Sequence, residues 1–119
     1  MTPATPPPVP DALRQVQAAA ADLAAGMAGR DGAQYRDDPA VRAAIDPPLE
    51  RLAQALAALG RDAPALLAEL DHAPRLIAAG RHLARAGGAG APAGELAQAW
   101  TLAHACVPHL LRQVDRLLG

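Results

Sequence analysis

Apolar residues in the last part of the chain recur at alternating four- and three-residue steps: Leu96, Trp100, Ala103, Val107, Leu110, Val114 and Leu117. That spacing lays them along one stripe of a helix. Gln98, Thr101, His109, Arg112 and Arg116 fall on the far side, where they stay hydrated. A stripe this long is not satisfied alone in water, so other helices must cover it. The spacing predicts a helix over residues 95–118, with Leu111 and Leu118 widening its apolar edge.

Similar stripes precede it. Leu13, Val16, Ala20, Leu23 and Met27 predict a first helix from Pro10 or Asp11 to Ala28, ended by Gly29 and Gly32. Residues 29–38 read as a polar loop. Asp38-Pro39 offers a cap followed by a favoured first-turn proline, opening a short helix through Ile45. Asp46-Pro47 repeats the signal and starts a second main helix with Leu49, Leu52, Leu56 and Leu59 inward. Gly60 stands where a left-handed C-terminal residue is wanted.

Asp62 is a candidate cap for a third helix burying Leu66, Leu67 and Leu70. Pro74 interrupts that helix, either by a kink or by a fresh start capped by Asp71. The pattern resumes with Leu76, Ile77 and Leu83 and stops at Gly87-Gly88. The Gly/Ala-rich run 86–94 reads as a hinge. Pro108 lacks the N–H that would bond the His104 carbonyl, which predicts a bend in the last helix. The expected fold is all-α: an antiparallel four-helix bundle with a short extra helix and a Pro-rich N-terminal arm. The arm is residues 1–10, extended and mobile unless held. The single bundle domain is residues 11–119.

Composition agrees with this class. Ala and Leu dominate, while Phe is absent and there is one Trp and one Tyr. Helix formers are thus abundant and strand formers scarce. Net charge is −1, and every basic residue is Arg, scattered among Asp and Glu. That balance gives no support for a nucleic-acid groove. One cysteine, Cys106, excludes an internal disulfide and suits a reducing compartment. Residues 1–10 have neither a basic region nor an apolar run, so they do not read as a signal peptide. No stretch reaches the ~18 uncharged apolar residues of a membrane span. The expected location is the cytoplasm, with no membrane partner.

Absent residue types remove several chemistries. Without Ser, Lys or Asn there is no serine nucleophile, Schiff-base lysine, phosphate loop with its lysine, or glycosylation sequon. Glu69-Leu70-Asp71-His72 contains Glu-x-x-His, a helical pair found in di-iron bundles. Such a centre needs a second pair and further glutamates, and the chain has three Glu and no second pair. His104, Cys106 and His109 diverge around a helix, whereas zinc needs convergent ligands. Asp38 and Asp46 precede prolines, so capping accounts for them better than paired acid–base catalysis. No metal, cofactor or catalytic residue is expected.

The segment Arg81-His82-Leu83-Ala84-Arg85-Ala86-Gly87 resembles histidine phosphotransfer domains, which are four-helix bundles of this size. The resemblance implies an exposed phospho-acceptor at His82, with Arg85 steadying the phosphoryl group. Ala86 stands where that family has a Gly, and Ala84 where it has a Leu.

The leading expectation is a non-enzymatic interaction protein that binds another protein, or itself, through an apolar helix face. Its expected residues are Trp100, as an anchor if it reaches the surface, with Leu102, Leu111 and Leu118. Phosphotransfer through His82 is the alternative, and a metal or small-ligand bundle the second alternative.

Overall fold

The computed structural model describes residues 9–86 and 93–118. Six helices account for nearly all of them: α1 (Val9–Met27), α2 (Gly32–Asp37), α3 (Pro39–Asp62), α4 (Pro64–Leu67), α5 (Ala73–Ala86) and α6 (Ala93–Leu118). There is no strand among the described residues. The expected arm lies outside them up to residue 8, and Val9 and Pro10 already belong to α1. Within the expected hinge, residues 87–92 also lie outside them.

Every stripe residue of α1 is buried, from Leu13 to Met27. The helix stops at Gly29, whose φ of 72° is open to a residue without a Cβ. Arg30 returns its guanidinium to the Gly26 carbonyl at 2.8 Å, satisfying one of the terminal acceptors.

The segment expected to be a polar loop holds α2 instead. Asp31 accepts from the Gln34 N–H at 2.8 Å, and Gln34 Oε1 accepts from the Asp31 N–H at 2.9 Å. This reciprocal capping box stabilises a helix too short to show periodicity. Its one buried side chain is Tyr35.

Asp38 caps α3 by accepting from the Ala40 N–H at 2.9 Å, with Pro39 at the first helical position. The second expected start, at Asp46-Pro47, is not a start: α3 runs unbroken through Pro47 and Pro48. Asp46 caps nothing, because its carboxylate accepts a hydrogen bond from Tyr35 inside the core. Pro48 has no N–H for the Ala44 carbonyl, and that oxygen sits against Gly26 of α1. Pro48, Leu49 and Leu52 are buried, so core packing holds the helix where two donors are missing.

Gly60 lies inside α3, not beyond its end. It makes room for Leu67, whose Cδ2 would lie 2.7 Å from a Cβ built there. Asp62 is the last residue of α3, and α4 begins after Ala63 with no side-chain cap. That helix ends at Leu67, so Leu70 reaches the core from the following turn. A fresh helix then starts: His72 takes a φ of 66°, and its carbonyl accepts from Leu76 N–H at 3.0 Å. Pro74 falls in the first turn of α5, where a missing N–H costs nothing. Asp71 does not cap that helix; its carboxylate reaches His109.

In α6 the stripe is buried from Leu96 to Val114, and the helix continues through Pro108. Its last expected core residue, Leu117, is 37% exposed. Leu118, half-buried against the core, takes the inner position at this end of the helix.

Contacts give the directions. Asp22 of α1 meets Arg51 of α3, and Gly26 meets Ala44, so these helices run antiparallel. Gln17 donates to Asp115 at 2.5 Å while Met27 lies near Ala103 and Val107, so α1 is antiparallel to α6 also. Gly80 packs on Leu49 and Ala53, setting α5 against α3. Among the described residues the α1–α3, α3–α5 and α1–α6 pairs pack extensively, whereas α5 and α6 meet far less.

Candidate functional site

Where α5 and α6 pair sparsely there is an open groove of about 560 Å³. Ala78, Ala79, Ala99 and Leu102 form its floor and walls, and Arg75, His82 and Gln98 carry its polar groups. Small side chains explain why the two helices make so little contact: alanine buries little area and offers no ridge to interlock. Two polar tethers join the turn before α5 to the last third of α6. His109 Nε2 lies 3.2 Å from Asp71 Oδ2, and Gln113 Nε2 donates to the Glu69 carbonyl at 3.1 Å. The helices are thus pinned at one end and separated by a furrow further along.

Arg75 is the formally charged side chain in the lining of this groove. Residues 73–86 contain Arg75, Arg81, His82 and Arg85 and no carboxylate. Between Glu95 and Asp115, α6 also has none. Arg75 is close enough to α6 to act on Cys106: burial pushes that thiol up, and the Arg75 charge opposes the rise. A raised thiol is a poor nucleophile at neutral pH.

The sequence-derived site residues scatter. Trp100 is 9% exposed and belongs to the core, packed on Tyr35 at a ring separation of 5.7 Å and on His104 at 6.1 Å. It is therefore not a surface anchor. Leu102, Leu111 and Leu118 are half-buried at the core's edge, and only Leu102 lines the seam. His82 is exposed on α5 and also lines it. The Arg85 side chain lies outside what the structure describes.

Glu69 and His72 lie in the turn between α4 and α5, not on a shared helical face. The α4 helix ends before them, and His72 turns left-handed. His104 stacks on Trp100, Cys106 is buried, and His109 faces Asp71. Among the described residues no three His, Cys, Asp or Glu side chains converge to hold a metal ion. No described helix is long and apolar enough to cross a membrane.

Sequence reasoning missed the Tyr35–Asp46 pair. The hydroxyl donates to Asp46 Oδ1 at 2.5 Å, between two buried residues. Burial raises the Asp46 carboxyl above its ordinary value, against the pull of the Tyr35 hydrogen bond and the Arg42 charge. Burial likewise raises the Tyr35 phenol, so it stays a donor through the alkaline range. The available signal was Asp31-x-x-Gln34 followed by an aromatic residue.

No protein-family model, characterised protein or solved structure matches this chain at a significant level.

Proposed function

We propose that this chain is a non-enzymatic protein-binding module, an antiparallel four-helix bundle of the cytoplasm that docks a partner along the α5–α6 seam. The observation that carries this reading is the furrow left where α5 and α6 fail to interlock. It places half-buried Leu102 beside an alanine floor, an apolar strip with polar ends of the kind that receives a helix. Leu111 and Leu118 lie further along α6 and extend the same helix's apolar edge. The test is a photo-crosslinking residue at Leu102, with Ala21 on the exposed side of α1 as reference. A partner protein captured from Leu102 alone supports the reading; equal capture from both positions removes it.

A second reading is favoured by the exposed position of His82 on the same seam. In it, a phosphoryl group leaves a receiver domain's aspartyl phosphate and bonds a His82 ring nitrogen. Incubation with a phosphorylated receiver labels the chain and not His82→Ala; equal labelling of both removes this reading.

A further inference from the structure

The short α2 is fastened to the bundle by a single buried side chain. Tyr35 is fully buried, while Ala33, Gln34, Arg36 and Asp37 around it are exposed. The segment also closes on itself. Its capping box joins Asp31 to Gln34, and the Tyr35 and Asp38 N–H groups donate to the Asp31 and Gln34 carbonyls. Its neighbours are finished without it. Arg30 satisfies the Gly26 carbonyl at the end of α1, and Asp38 caps α3 with its own carboxylate. A unit with one buried anchor, between helices capped independently of it, can open while the rest of the fold stays closed.

What the anchor covers is a buried carboxyl and the one indole. The Tyr35 hydroxyl donates to Asp46, and its ring and Gly32 lie against Trp100. Swinging α2 outward returns the Asp46 carboxyl to water, which favours its ionised form. We propose that α2 is a strap, which lifts from α3 and α6 as one unit and lifts more readily once Asp46 ionises. Burial raises the Asp46 carboxyl in the closed state, so closure favours the proton and opening favours its loss. The charged groups that bear on the pair are Arg42, which steadies the carboxylate, and Glu50, which acts on Tyr35; both belong to α3. From α6 comes Trp100 with His104 stacked on it, and α1 meets this part of α3 through uncharged Gly26. Lifting the strap uncovers the Asp46 carboxyl and the Trp100 indole together.

Native-state hydrogen exchange of the full chain, in urea below the unfolding transition, reads this motion. The amides of Tyr35 and Asp38 should exchange faster than those of Leu23 and Leu56 in the core. Their exchange should also depend less on urea, because the opening exposes little surface. Their protection, corrected for the intrinsic effect of pH on exchange, should fall severalfold between about pH 4 and pH 7. In Asp46→Asn that fall should vanish, and in Tyr35→Phe protection at neutral pH should drop below that of the unaltered chain. His104→Gln, which removes the imidazole on Trp100, should leave the fall in place. Tyr35 and Asp38 amides that match the core in rate and urea dependence would show that α2 opens only with the whole bundle, and overturn the strap. Low protection that ignores pH, a fall that survives in Asp46→Asn, or one lost in His104→Gln overturns Asp46 as the trigger and the proposal with it.

Discussion

The Tyr35 hydroxyl donates to Asp46 Oδ1 inside the core, tying the short α2 to the middle of α3. This bond holds an ionisable carboxyl where burial disfavours its charge, and it fixes α2 beneath Trp100.

The consequence is a pH dependence with a definite sign. An acid whose folded value is raised binds its proton more tightly folded than unfolded. Stability therefore falls as pH rises from the ordinary value of 3.8 through the raised one. Asp46→Asn should flatten that fall, read as urea midpoints between about pH 4 and pH 7. Tyr35→Phe should steepen it and cost about 1.5–3 kcal/mol at neutral pH, by removing the donor to a buried carboxylate. Identical slopes in all three proteins would show that the pair does not titrate as described.

Glycine at two helix crossings should behave unlike glycine elsewhere. A Cβ on Gly26 would sit 2.6 Å from the Ala44 oxygen, and one on Gly80 would overlap the Ala53 methyl. Alanine usually stabilises a helix interior by about 0.5–1 kcal/mol over glycine. Here Gly26→Ala and Gly80→Ala should each destabilise by about 1–3 kcal/mol through overpacking. Gly94→Ala, with open space around it, should be neutral or slightly stabilising. Thermal melts of the three variants check the contrast.

The sequence carried most of the fold because three stripes of apolar residues needed only one physical rule, burial of one helical face. The stripe positions of α1, and those of α6 as far as Val114, are buried as the spacing requires. Ambiguity lay where one residue type serves two purposes. Asp46 before a proline has the form of a cap, but a cap needs its carboxylate on a helix end, and this one faces Tyr35. Gly60 has the form of a terminator but serves as a gap for Leu67. The seam was less legible still. Periodicity shows that α5 and α6 each have an apolar face, but not that these faces turn to α3 and α1 and leave the two helices little engaged with each other.

The end of α6 separates core from periphery. Leu110 is 1% exposed and Leu117 is 37% exposed. Leu110→Ala should cost about 2–5 kcal/mol as a buried cavity, and Leu117→Ala less than about 1 kcal/mol. Chemical denaturation of both variants measures the difference, and equal losses would place Leu117 in the core.

Trp100, the one tryptophan of the chain, reports on the same packing. It is 9% exposed between Tyr35 and His104, so its emission should be blue-shifted and resistant to iodide quenching in the folded protein. Emission and quenching equal to those of the urea-unfolded chain would contradict the packing of α2 on α6.

The seam itself is most directly examined by amide hydrogen exchange of the whole chain, with and without the partner captured at Leu102. The account predicts added protection concentrated in residues 75–82 and 98–102, with α1 unchanged. Protection centred on the outer face of α1, with the α5–α6 furrow exchanging as before, would contradict it.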